Sequence, residues 1–184
     1  MKKLAIPLLL ATGAISAGSI VPSEDMTLAQ QPCVIETELL RLTSTRVTNN
    51  WQYRDADYLL NINIPLDSVV SFQKIVFQQT EGADYPSYST RKSYVFEGGD
   101  RSQRISSSSI DNDTNNRTVT VNFDPPLQSG QEITVVLNAF RNPRDGIYIY
   151  QVAGLPTGEN SRLRRLGTAR LSFYQSSGRD RCYR

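Results

Sequence analysis

Histidine is missing from this sequence altogether. Its absence excludes Ser-His-Asp and Cys-His nucleophilic pairs and removes the commonest protein ligand of zinc and copper. Acid–base chemistry would fall to carboxylates, lysine or tyrosine. Helical periodicity is lacking as well, since no segment of useful length carries an apolar stripe at 3.6-residue spacing. A glycosidase needs two opposed carboxyl groups at a set distance. Asp55, Asp57, Glu81 and Glu97 form no spaced pair on recognisable motif residues. Charged residues make up only 21% of the chain and apolar ones 39%, which places it outside both the disordered and the membrane-spanning classes.

What is present begins with an address. Lys2 and Lys3 precede residues 4–21, which are apolar or small throughout. Pro22, Ser23, Glu24 and Asp25 then bring polarity, and Thr27-Leu28-Ala29 offers small residues at −3 and −1 of a cleavage site after Ala29. This is the layout of a secretory signal peptide over residues 1–29. The competing reading is a retained membrane anchor, since 18 such residues are nearly long enough to span. Pro7, Gly13 and Gly18 weaken it as a span, and no membrane span is expected after cleavage. A lipid-modified Cys33 fits poorly, because Gln30-Gln31-Pro32 precedes it where apolar and small residues are wanted. The mature chain, residues 30–184, has a normal size for one domain and can bury a real core.

The two cysteines, Cys33 and Cys182, bracket almost all of that mature chain. In an oxidising compartment a bridge between them is permissible and is the favoured reading. Closing so long a loop restricts the unfolded state by ~5 kcal/mol in the chain-entropy picture. Charge is unevenly placed. Residues 30–140 hold 9 basic and 13 acidic side chains, net −4, while residues 141–184 hold 9 arginines and 3 acids, net +6. The basic end can face an anionic partner or simply be a solvated surface.

Periodicity of two dominates the rest. Tyr58, Leu60, Ile62 and Ile64 alternate with Asn61 and Asn63; Ile75 and Phe77, then Val119, Val121 and Phe123, then Ile133, Val135, Leu137 and Ala139 repeat the pattern. Residues 147–152 are apolar or aromatic at nearly every place and read as a strand covered on both faces. Leu171 and Phe173 close the series; residues 39–47 and 93–96 are weaker candidates. Asp124-Pro125-Pro126, Gln128-Ser129-Gly130-Gln131, Asn142-Pro143-Arg144-Asp145-Gly146 and Leu155-Pro156-Thr157-Gly158 supply bends and turns. Residues 98–109 and 111–116 read as long surface loops. Short strands between regular turns predict an all-β, single-domain β-sandwich of about eight strands, immunoglobulin-like or similar.

A resemblance rests on Phe123-Asp124-Pro125-Pro126-Leu127, Ser129-Gly130, Arg141-Asn142-Pro143-Arg144, Gly146-Ile147-Tyr148, Pro156-Thr157-Gly158, Leu166-Gly167 and Arg170-Leu171-Ser172-Phe173-Tyr174. Gln73-Lys74-Ile75-Val76, Gln78-Gln79 and Phe96-Glu97-Gly98 add to it upstream. Together, over about residues 39–174, the chain resembles the family known as domain of unknown function 2808. The resemblance implies a secreted, cyanobacterial protein with no established activity, and it implies no catalytic residue.

Four places invite a functional reading. Arg141-Asn142-Pro143-Arg144-Asp145-Gly146 reads first as a rigid corner, because Asn and Asp cap turn amides, Pro fixes φ and Gly permits positive φ. Arg141 and Arg144 on that corner can also grip a carboxylate or phosphate. Arg162, Arg164 and Arg165, with Arg170, can line an anionic surface or protect a sheet edge from pairing with another chain. Nucleic acid fits poorly there, because no aromatics interleave with the arginines. Asp111-Asn112-Asp113-Thr114-Asn115-Asn116 spaces oxygen ligands as a calcium loop does. It lacks the glycine at the sixth place, and Asn122 stands where a bidentate Glu is needed, so a polar loop is the reading. Tyr148 and Tyr150 share a strand face, Tyr85 and Tyr88 fall in a loop, and Trp51 reads equally as an exposed contact or a core anchor.

The sequence therefore predicts an exported, non-enzymatic binding or structural module of the periplasm or cell surface, without cofactor. Its expected partner is an envelope protein or an anionic polysaccharide. A carboxylate-based glycan hydrolase and an accessory to envelope-complex assembly are the alternatives.

Overall fold

The alternating runs become ten strands in a computed structural model that describes residues 40–105, 108–159 and 161–175. The leader, Cys33 and Cys182 lie outside the described residues. The strands are β1 (Arg41–Val47), β2 (Ala56–Asn63), β3 (Phe72–Glu81), β4 (Ser87–Tyr88), β5 (Tyr94–Glu97), β6 (Ser108–Asp113), β7 (Thr118–Leu127), β8 (Glu132–Arg141), β9 (Gly146–Pro156) and β10 (Arg164–Phe173). No helix occurs among the described residues. One five-stranded sheet runs β1-β2-β8-β4, with β5 also on β8; the other runs β10-β9-β3-β7-β6. All named pairings are antiparallel.

The two sheets meet across one core. Tyr58, Leu60, Ile62, Val95, Ile133, Val135, Leu137 and Ala139 come from the first sheet, and Ile75, Phe77, Val121, Tyr148, Tyr150, Val152, Leu171 and Phe173 from the second. Burying each such large apolar side chain contributes roughly 1.5–3 kcal/mol, so the period of two decides which face of every strand turns inward. The protein is an all-β sandwich.

Four local expectations change. The strands number ten rather than about eight, the additions being the two-residue β4 and the polar β6. Residues 111–113 are part of β6, because its backbone pairs with β7 and Ile110 packs against the core even though its neighbours are polar. Asp124-Pro125-Pro126 does not separate two runs; it lies inside β7, where Phe123 to Pro126 bulge against the single Gln73, since proline has no N–H for the ladder. Strand β9 is not covered on both faces: Tyr148, Tyr150 and Val152 are buried, whereas Ile147 is exposed. Among the described residues no sheet packs over its outer face.

Because the strands are antiparallel, connections gather at two ends. One end carries the 48–55 loop, residues 82–86, the 114–117 turn, the 142–145 corner and Tyr174. The other carries the 64–71, 128–131 and 157–163 connections. There Gly130 donates its N–H to the Ile64 carbonyl at 2.9 Å and Thr157 to that of Ser71 at 2.9 Å.

Candidate functional site

The 48–55 loop has almost no regular structure, yet it is tied down on three sides. Thr48 N–H donates to the Asp57 carbonyl at 3.0 Å, which closes the loop on its own strands. Gln52 N–H donates to the Tyr174 carbonyl at 2.9 Å and Tyr174 N–H to that of Asn50 at 2.8 Å, which fastens the loop to the end of β10. Asn142 N–H donates to the Arg54 carbonyl at 2.7 Å and Tyr53 N–H to that of Asn142 at 3.3 Å, which fastens it to the corner.

Asn142 is the hub. Its side chain is buried and uses every polar group it has there. The amide nitrogen donates to the carbonyls of Asn49 at 2.8 Å and Trp51 at 3.0 Å, and the amide oxygen accepts from the Tyr58 hydroxyl at 2.9 Å. The 141–146 segment turns the chain from β8 into β9, and Asn142 caps a neighbouring loop instead of its own turn. Asp145 N–H donates to Gln52 Oε1 at 3.2 Å and Arg144 N–H to Asp84 Oδ2 at 3.2 Å.

This anchoring displays aromatic side chains outward. Trp51 is 48% exposed, Tyr53 50% and Tyr174 55%, so all three offer half their surface to solvent. Trp51 meets Tyr174 edge to face at 6.5 Å. Tyr53 has φ 59°, a left-handed conformation that costs a side-chain-bearing residue roughly 1–2 kcal/mol. The surrounding hydrogen bonds hold it there. Above its ring, at 4.8 Å, stands the Arg141 guanidinium.

Tyr53 and Arg141, with Asp84, Tyr85, Ser87, Asn142 and Pro143, line a cleft of about 210 Å³. Arg144 does not line it. The Arg141 guanidinium has no hydrogen-bond acceptor among the described residues, so its planar donors are available at the cleft mouth. Asp84 is the cleft's one carboxylate. Two further clefts, near Pro156–Arg164 and near Pro125–Gln131, are likewise lined by one carboxylate each, Glu159 and Glu97.

Beneath the cleft lies a chain of buried hydroxyls. Tyr88 donates to Tyr150 at 3.2 Å, Tyr150 to Gln79 Oε1 at 3.2 Å, and Gln79 Nε2 to the Asp84 carbonyl at 2.7 Å. Burial pushes the hydroxyls of Tyr58, Tyr88 and Tyr150 well above the ordinary tyrosine range, and their mutual proximity adds to it for Tyr58 and Tyr88. They are neutral hydrogen-bonding groups, linked to two residues that line the cleft through the Tyr58–Asn142 and Gln79–Asp84 hydrogen bonds. Tyr88, read from sequence as a loop residue, is in β4 and buried.

The two arginine groups singled out from sequence are not brought together. Arg141 and Arg144 flank the corner at one end, whereas Arg162, just before β10, and Arg164 and Arg165, at its start, lie at the other, roughly 30 Å away along a ten-residue strand. Strand β10 is the outer strand of its sheet, and Arg164, Arg165 and Arg170 are exposed on it. Asp113 does not hold an open ligand set: its carboxylate accepts from Asn115 N–H at 3.0 Å, Asn116 N–H at 3.1 Å and Asn116 Nδ2, which lowers its pKa. Among the described residues no group of three or more acidic, cysteine or histidine side chains is placed to hold a metal ion.

The family described as "Protein of unknown function (DUF2808)" matches residues 35–173. The chain belongs to that family. The match spans the folded sandwich, so the DUF2808 domain includes the 48–55 loop, the cleft and both arginine groups. No curated protein matches the chain. Among solved structures, it is similar to the collagen-binding domain of a Staphylococcus aureus adhesin (14% identity, TM-score 0.40, 66% of this chain and 88% of that one). It is also similar to BslA, described as a bacterial hydrophobin (18%, TM-score 0.45, 77% and 98%). An uncharacterized Nocardia farcinica protein with an immunoglobulin-like fold is a third (10%, TM-score 0.43, 71% and 96%). No helix of the described residues is long and apolar enough to cross a membrane.

Sequence reasoning missed Tyr53 and Tyr174. Neither lies in an alternating run, and no sequence signal announces a left-handed tyrosine. The corner was visible, but Asn142 as its buried hub was not.

Proposed function

We propose that this DUF2808 protein is an exported, non-enzymatic binding module that meets its partner through the end bearing Trp51, Tyr53, Tyr174 and Arg141. The leader at residues 1–29, cleaved after Ala29, would deliver residues 30–184 to the periplasm or cell surface. The observation that carries the binding reading is Tyr53: its backbone is held in a costly conformation while its ring faces outward under Arg141, whose guanidinium has no hydrogen-bond acceptor among the described residues. Strain maintained by surrounding structure is a mark of functional sites, and exposed aromatics with arginine are the side chains that dominate recognition surfaces. Glycan hydrolysis by two carboxylates finds less support, because among the described residues the cleft is lined by one carboxylate, Asp84.

Purified residues 30–184 should co-sediment with an envelope fraction from the producing cell. A Trp51→Ala/Tyr53→Gly/Arg141→Gln variant should lose at least tenfold in retention, whereas Arg162→Gln/Arg164→Gln should retain it. Equal retention by the first variant refutes the assignment of this end. Full-length protein that accumulates in the cytoplasm with its leader intact refutes export.

A further inference from the structure

We infer that the cleft lined by Tyr53 and Arg141 takes one carboxylated sugar unit, so that the partner is a uronic-acid-containing polysaccharide. This rests on the reading that the aromatic end is the binding surface, and it adds the ligand's chemistry. The first constraint is size. At about 210 Å³ the cleft is smaller than the pockets of about 300–1,000 Å³ that enclose drug-sized ligands, so it suits a single ring of a longer chain.

The second constraint is charge pattern. Arg141 presents a planar fork, oriented by stacking on Tyr53 and without a partner among the described residues. Such a fork matches a carboxylate bidentately. Asp84 lies in the same cleft, with one carboxylate oxygen engaged by Arg144 N–H at 3.2 Å. A unit that carries several anionic groups, such as a multiply sulfated sugar ring, meets repulsion from Asp84. A ligand with one carboxylate among several hydroxyls satisfies both groups: the carboxylate meets Arg141, and a hydroxyl donates to Asp84. Ser87 stands opposite Arg141 in the β4–β8 register and lines the cleft, adding a hydroxyl.

The third is the surrounding surface. Trp51 and Tyr174, half exposed and on the same anchored loop system, extend the site beyond the cleft. Aromatic faces pack against the apolar C–H faces of sugar rings while their polar edges stay wet. A chain of uronic acid units thus has a charged unit to place in the cleft and further rings to lay on the aromatics.

The probe is oligogalacturonate, measured by titration calorimetry against mature protein at low salt, with its fully methyl-esterified form as the uncharged counterpart. Esterification should weaken binding at least tenfold, and Arg141→Gln should do the same for the acid form only. Arg141→Lys should not restore it, since an ammonium lacks the fork. Arg162→Gln at the far end should leave affinity unchanged. Equal binding of acid and ester overturns the inference, as does tighter binding of dextran sulfate or of poly-glutamate. If the acid form does not bind while the aromatic-end variant still loses envelope retention, the ligand class is wrong and the binding surface stands. If that variant also keeps full retention, both fail.

Discussion

The Tyr58 hydroxyl donates to Asn142 Oδ1 at 2.9 Å inside the core, joining β2 to the β8–β9 corner across 84 positions of sequence. The same Asn142 amide holds the carbonyls of Asn49 and Trp51 from below. One buried side chain therefore connects the packing of the sandwich to the loop that presents its aromatic residues.

Asn142→Ala is expected to be among the most damaging polar substitutions in the chain. It leaves the Tyr58 hydroxyl and two loop carbonyls without their partner, at about 1–3 kcal/mol for each group that stays buried. Relaxation of the loop toward water limits the total, so a loss of about 2–4 kcal/mol is expected in chemical denaturation. A change below about 0.5 kcal/mol would show that the loop is not held this way.

Tyr53 separates stability from function. Glycine adopts positive φ at no steric cost, whereas alanine keeps the strain and loses the ring. Tyr53→Gly should accordingly be more stable than Tyr53→Ala by about 1 kcal/mol, although both remove the contact with Arg141. The reverse order in melting temperature would mean that the left-handed conformation is not maintained in solution.

Gly82 stands at φ 125°, and a Cβ there would fall 2.1 Å from Tyr148 Cδ1. Tyr148 cannot easily yield, because its ring is buried against Phe173 and its hydroxyl donates to the Arg144 carbonyl at 3.1 Å. Gly82→Ala should cost about 2–4 kcal/mol, from overpacking together with backbone strain. Thermal unfolding measures it; a wild-type melting temperature contradicts the packing described.

Alkaline pH should unfold the protein through its tyrosines. In the folded state Tyr58, Tyr88 and Tyr150 hold their protons more tightly than the ordinary value of 10.0, chiefly because burial disfavours the phenolate. Below pH 10 both states are neutral and the stabilisation is complete. Above it the unfolded chain releases protons that the folded one retains, so stability falls with rising pH, by about 1.4 kcal/mol per unit for each such tyrosine. Tyrosinate absorbance from these residues should therefore appear together with loss of the β-sheet signal. Their ionisation in a chain still fully folded would contradict their burial.

The strands were legible because burial in a sandwich imposes a period of two; residues 119–123 keep that period strictly, while in 58–64 and 133–139 it is broken only by Leu59, Thr134 and Val136, of which Leu59 and Val136 are buried with Phe96 in a small second cluster. β6 was illegible for the converse reason. Ser108, Ser109, Asp111, Asn112 and Asp113 have poor strand propensity, and only pairing with β7 makes them a strand. At the site, Pro143 and Gly146 marked the corner in advance. Trp51 could not be placed, since a lone tryptophan in a polar stretch suits either face. Tyr53 was hidden because its conformation is dictated by Asn142 and Tyr174, which lie about 90 and 120 residues further along the chain. Distant pairings of this kind leave no local pattern.

The binding surface can be located directly by recording backbone amide chemical shifts of isotope-labelled residues 30–184 during titration with solubilised envelope polysaccharide. Shifts concentrated at Trp51, Tyr53, Ser87, Arg141 and Tyr174 are the expected result. Shifts concentrated instead at the opposite end, around Leu66, Val69 and Leu163, would contradict it.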